Sequence, residues 1–220
     1  NKMKQKKQGQ QSDDETAEDN YAWKPSQGIG FEYGQFYSPL DRWDSYLLNP
    51  NGAATIDTPM VHSFQIAGEI SPIPRARFTA FAGLETPFSS STTLYSFYGG
   101  LEPTYTVRRG DWAIGLGAAF AAGYIQLNSD PGAFSTGIFT LRPHLEVRHY
   151  LNESTAVYAE IGFKQWLPFA PDTSELDISD PTEDIDRDVR DLYAGSVQAS
   201  IGFRWGYYAE HVKENSGADT

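Results

Sequence analysis

The 220-residue sequence predicts an all-β fold, an eight-stranded antiparallel up-and-down transmembrane β-barrel, on three observations. Apolar and polar residues alternate with period 2 in eight successive segments, the spacing of side chains that point to opposite faces of a strand. Every Lys, Arg, Asp and Glu inside those segments falls on one of the two parities. On the other parity, aromatic rings stand at both ends of several segments. Composition agrees, since aromatics make up 14% of the chain and 20 Gly with 13 Pro can punctuate many short elements.

The first four strands are expected near residues 28–37, 61–71, 75–85 and 94–107, with Glu32, Glu69, Arg75, Arg77, Glu85 and Glu102 on the polar parity. In the fifth, Trp112, Ile114, Leu116, Ala118, Phe120, Ala122 and Tyr124 oppose a face made only of Ala and Gly. A helix is the weaker reading of this run, because each glycine would cost about 1 kcal/mol and a spanning helix needs about 20 residues. The sixth sets Phe139, Leu141, Pro143, Leu145 and Val147 against Thr140, Arg142, His144, Glu146 and Arg148. In the seventh, Val157, Ala159, Ile161 and Phe163 oppose Tyr158, Glu160, Gly162 and Lys164. The eighth alternates from Tyr193 through Val197, Ile201 and Phe203 to Trp205, against Gln198, Ser200 and Arg204.

Short turns are expected at Pro72–Pro74, Arg109–Gly110 and Leu151–Glu153, and long polar connections at 39–60, 86–93, 127–137 and 168–191. The two classes alternate, which predicts a meander with short turns at one end and long loops at the other. Pro103 and Pro143 each remove a ladder donor, so local bulges are expected there. The chain divides into a polar arm at 1–26, expected to be disordered, the barrel at 27–205 and a polar tail at 206–220. The arm lacks the apolar core of a secretory signal.

Charge decides which face points inward. A water-soluble barrel would keep its apolar residues inside; a membrane barrel inverts this, because Arg or Lys facing lipid at mid-bilayer costs about 2–4 kcal/mol. The charge-free parity is therefore assigned to lipid, apart from Gln35, His62 and His149 near strand ends. A lumen ionic network is assigned to Glu32, Glu69, Arg75, Arg77, Glu85, Glu102, Arg142, His144, Glu146, Arg148, Glu160, Lys164 and Arg204. Tyr95, Tyr105, Trp112, Tyr124, Tyr193 and Trp205 form the expected aromatic girdle, since amphipathic rings favour both bilayer interfaces. The net charge of -12 argues against nucleic acid, which demands a basic face. With no cysteine, disulfides and thiolate-ligated metals are excluded. Mean hydropathy of -0.48 excludes a bundle of membrane helices, but alternation dilutes a lipid-facing surface with an equally long polar one.

This pattern resembles the eight-stranded outer-membrane barrels of the OmpA/OmpX type over roughly residues 27–205. The resemblance implies a bacterial outer membrane, surrounding lipid and lipopolysaccharide, periplasmic termini and extracellular long loops. It also implies that the outer-membrane insertion machinery reads the last strand, where Ile201, Phe203 and Trp205 are similar to the family's terminal signal.

The functional expectation is a non-enzymatic structural or anchoring component of an envelope protein assembly, with a salt-bridged interior and no cofactor. Eight strands enclose little more than their own side chains, so a narrow pore is the lesser alternative. A lipid A-modifying enzyme is another, because some similar barrels act on lipid A through a His-containing set near the outer rim. The four histidines are His62, His144, His149 and His211, and His62 stands beside Ser63. No H-E-x-x-H, P-loop or EF-hand spacing occurs. Segment 172–191 carries nine acids against two arginines, and Asp180, Glu183, Asp184, Asp186 and Asp188 are a weak candidate for divalent calcium or magnesium. Trp43, Tyr46, Leu47 and Leu48 form a candidate partner patch.

Overall fold

A computed structural model of the chain describes residues 26–37, 60–73, 75–87, 93–129, 132–172 and 194–207. They form β1 (Ser26–Tyr37), β2 (Met60–Ile73), β3 (Ala76–Thr86), β4 (Thr93–Arg109), β5 (Trp112–Ser129), β6 (Gly132–Asn152), β7 (Thr155–Asp172) and β8 (Ala194–Tyr207). Each strand pairs antiparallel with the next, and β8 pairs with β1 from Gln27↔Tyr207 to Phe36↔Gln198, which closes the barrel. Closure leaves no unpaired sheet edge.

Side chains sort by parity. Ile29, Ile66, Leu101, Leu116 and Ile201 are each 64–67% exposed on the outer wall, whereas Glu69, Arg77, Glu146 and Arg148 are at most 5% exposed inside. An apolar exterior around an ionic interior is stable only if the outside solvent is lipid. The strands run from 11 residues in β3 to 21 in β6. At about 3.3 Å per residue and a tilt near 45°, β6 projects well beyond a hydrocarbon core of roughly 30 Å.

Three connections at one end are two-residue turns, between β2 and β3, β4 and β5, and β6 and β7. Arg75 and Gly110 adopt φ of 65° and 60° in the first two, and in the third Asn152 Oδ1 accepts from the Ser154 amide at 2.8 Å. Those features supply the left-handed residue or side-chain cap that so tight a reversal needs. β1 begins and β8 ends at this same end.

Several expectations are corrected. Segment 127–137 is not a long loop: β5 and β6 continue as a hairpin to Ser129↔Gly132, because Leu127, Asn128, Ala133 and Phe134 keep pairing. Arg75 does not join the lumen network; it is an exposed turn residue whose carbonyl accepts from the Thr106 amide at 2.8 Å. A residue at the point of reversal has no fixed inward side. The prolines produce no register shift. At Pro103 the β4–β5 pairing lapses between Leu101↔Phe120 and Thr104↔Gly117, and at Pro143 the β6–β7 pairing lapses between Leu141↔Gln165 and His144↔Gly162. The register resumes unchanged each time, so a missing donor on one side is spanned by its neighbours. Bulges lie instead at Ile70/Ile73, Ser135/Gly137 and Tyr150/Asn152.

Candidate functional site

The lumen holds the one concentration of chemistry among the described residues. Apart from Arg75, every residue of the expected network is buried at 5% exposure or less. Towards the short-turn end, Arg148 of β6 donates both Nη atoms to Glu69 of β2 at 2.7 and 2.9 Å, and its Nε to Glu146 Oε1 at 3.1 Å. Arg77 of β3 grips Glu146 from the other side with two bonds of 2.7 and 2.6 Å. Arg204 of β8 completes this layer 3.6 Å from Glu69, its guanidinium 4.6 Å from the centre of the Tyr158 ring.

The middle layer is organised by Arg142 of β6. Its Nη1 donates to Glu32 Oε1 at 3.1 Å, and its Nη2 donates to Glu102 Oε2 at 3.1 Å and lies 3.3 Å from Glu160 Oε1. Tyr158 donates its hydroxyl to Glu32 Oε2 at 2.8 Å. His144 sits beside this cluster, with Nε2 3.7 Å from Glu102 Oε1 and 3.8 Å from Glu160 Oε2.

At the loop end, Lys164 of β7 pairs with Glu85 of β3, and its ammonium lies 4.7–5.9 Å from the ring centres of Phe36, Tyr98 and Trp166. Those rings face the ammonium with their negative π-surfaces, a further favourable term in a desolvated site. Ser63 and Tyr98 share a hydrogen bond of 2.7 Å nearby. Ala67, Phe81, Tyr98, Ala119 and Ala121 pack as an apolar cluster of the lumen. The cavity beside them is about 10 Å³, near the lower limit for one water.

Closure depends on who pairs with whom. In a ring of eight, β2 and β6 are diametrically opposed, and so are β3 and β7. Arg148–Glu69 and Lys164–Glu85 therefore cross the full lumen. A buried pair of this kind adds little net stability over an apolar one, yet leaving one partner alone costs about 3–5 kcal/mol.

Small residues of β5 make room for the large ones of β4 and β6. A Cβ on Gly117 would stand 2.7 Å from Thr104 Oγ1 and 2.8 Å from His144 Nε2, whereas one on outward Gly68 would meet nothing within 4 Å. Gly117→Ala is expected to destabilise the barrel by about 1–3 kcal/mol through overpacking, while Gly68→Ala is close to neutral. Urea titrations of the folded fraction would show this, and equal midpoints for the two variants would contradict the packing described.

Parity assigned the ionic residues, but Tyr158, Tyr98, Phe36 and Trp166 were passed over as lumen partners. The available signal was their position on the charged parity, where an aromatic ring has no lipid to face. Of the girdle, Tyr95, Tyr105, Trp112, Tyr124 and Trp205 are all exposed on the outer wall. Tyr193, the patch Trp43, Tyr46, Leu47 and Leu48, the loop residues Asp180 to Asp188, His211, and most of the arm and tail lie outside the described residues.

His62 and Ser63, adjacent in sequence, do not meet on one face. His62 points outward, where its Nδ1 lies 2.7 Å from Tyr33 Oη, while the Ser63 hydroxyl faces the lumen. His149 stacks on Trp112 on the outer wall with ring centres 4.4 Å apart, and His144 is sealed inside.

No family model and no curated protein matches the sequence. Among solved structures, neisserial surface protein A (NspA) superposes with a TM-score of 0.53 at 12% identity, over 82% of this chain and 96% of that one. The chain has the fold of the eight-stranded outer-membrane β-barrels. The attachment invasion locus protein Ail of Yersinia pestis gives a TM-score of 0.46 at 8% identity, over 83% of this chain and 97% of that one. The outer membrane protease OmpT of Escherichia coli gives 0.32 at 9% identity, over 83% and 95%. At 12% identity the likeness to neisserial surface protein A is one of fold, and the barrel's own lumen must supply any functional argument.

Proposed function

We propose that the chain is an integral protein of the Gram-negative outer membrane that serves as a closed, non-enzymatic anchor in an envelope protein assembly. The observation that carries this reading is the pair of ion contacts, Arg148–Glu69 and Lys164–Glu85, that join opposite walls of the lumen. A barrel plugged in this way offers no path through its centre, so its working surfaces are its ends. The chain has long polar stretches to present there: 1–25 and 208–220 beyond the strand ends on the short-turn side, and the connections 38–59 and 173–193 at the other end. In the proposed orientation the short turns and both termini face the periplasm, and the long connections face the exterior.

Planar bilayer recordings test the closed interior: purified barrel is expected to give no steady conductance, and a stable open level would overturn that part. Extraction in mild detergent after in-cell cross-linking tests the anchor. A defined set of envelope proteins is expected with the barrel; recovery of lipid alone would withdraw the assembly role and leave the fold untouched.

A further inference from the structure

We propose that Glu102, His144 and Glu160 form a binding site for a first-row divalent transition metal, of the kind Zn²⁺ fills, inside the lumen. The three residues come from β4, β6 and β7, and their ligand atoms lie within 4.8 Å of one another. The inference rests on the lumen geometry alone and is independent of the anchoring role.

The ring orientation is the first argument. His144 Nδ1 lies 3.3 Å from the carbonyl oxygen of Arg142, an acceptor, so Nδ1 carries the ring proton and Nε2 is left with a lone pair. Metal-ligating histidines are held in just this way, with the second nitrogen donating to a carbonyl or carboxylate. That lone pair faces Glu102 Oε1 at 3.7 Å and Glu160 Oε2 at 3.8 Å. Both distances exceed a hydrogen bond. They are close to the ligand-to-ligand separation of a tetrahedral zinc centre, about 3.4 Å when metal–ligand bonds are near 2.1 Å.

Unsatisfied atoms are the second argument. His144 Nε2 and Glu160 Oε2 are buried without a hydrogen-bond partner, and Thr104 Oγ1, in the same condition, faces the same space opened by the absent side chain of Gly117. The His144 Nε2 lone pair, Glu102 Oε1 and Glu160 Oε2 are acceptors turned towards each other, and they repel unless a cation lies between them, whereas the Thr104 hydroxyl can donate as well as accept. Arg142 does not fill that role, because it holds the far oxygens, Glu102 Oε2 and Glu160 Oε1, and so turns the near ones towards His144. It acts as the group that orients both carboxylates. One nitrogen and two carboxylate oxygens suit zinc and its neighbours rather than calcium or magnesium, which take oxygen-only shells.

The full chain would be refolded into detergent micelles in the presence of Zn²⁺, dialysed, and its metal content measured, with Co²⁺ substituted for ligand-field absorption. About one equivalent per folded barrel is expected to be retained, with a four-coordinate Co²⁺ spectrum. His144→Gln and Glu160→Gln should each lower retention about tenfold or more, while His149→Gln on the outer wall keeps it. Heat-modifiable gel migration identifies the folded fraction of each variant. Should His144→Gln not fold, Glu160→Gln and the ring ¹⁵N signals of His144 in the unsubstituted barrel carry the test. The proposal is overturned if folded barrel retains no Zn²⁺, if variants retain it as well as the parent, or if both ring nitrogens of His144 are protonated and unmoved by Zn²⁺.

Discussion

Leu116→Arg is expected to abolish insertion of the barrel into bilayers. Leu116 is 66% exposed on the outer wall of β5, between the rings of Trp112 and Tyr124, and its strand neighbours Tyr105 and Leu145 face outward with it. A guanidinium at that depth costs about 2–4 kcal/mol, a large share of the 5–15 kcal/mol or so by which a folded protein exceeds its unfolded state. Leu116→Ala is the informative partner. Lipid chains can occupy the space a shortened side chain leaves, so its cost should fall well below the roughly 2–5 kcal/mol of a Leu→Ala change in a packed core. Folded fractions from urea titration in lipid vesicles, read by gel migration, separate the two. If Leu116→Arg folded as well as Leu116→Ala, the outward face would be facing water.

The second large effect is expected inside. Arg148→Met removes a guanidinium that makes bonds of 2.7 and 2.9 Å to Glu69 and of 3.1 and 3.3 Å to Glu146. Arg77 and Arg204 remain near Glu69 but at 3.8 and 3.6 Å, too distant to replace a bidentate grip. The variant should lose about 3–5 kcal/mol, the cost of leaving a buried carboxylate uncompensated. Adding Glu69→Gln should return part of that loss, because the stranded charge disappears with its partner. A double-mutant cycle measures the coupling. Strict additivity of the two substitutions would mean that the pair does not span the lumen as described.

Particular residues show how far the sequence could be read. Glu146 and Arg148, two apart in one strand, had to share a face because successive Cβ atoms alternate across the sheet. Their burial together therefore follows from spacing alone. Nothing in the spacing says that Arg148 meets Glu69, which is 79 positions away. Likewise, the polar stretch 127–137 contains Asn, Ser, Asp, Pro and Gly, the composition of a loop, yet all but its tip pairs as a hairpin. Pairing with a neighbouring strand outweighed local propensity there. The prolines erred in the same direction, since a lattice bonded on both sides carried the register past them.

What the sequence determined by itself is the wall: its number of strands, the placing of both termini at one end, and which side of every strand faces outward. All three are periodic or counting properties, and a period of 2 survives any error in strand ends. What only the tertiary structure decided is the interior. Partners such as Lys164 and Glu85, or Glu102 and His144, come from strands that are not neighbours in the sheet. Their meeting depends on closure and on the stagger accumulated from strand to strand, and a shift of two residues in any register would leave every parity intact while exchanging every partner.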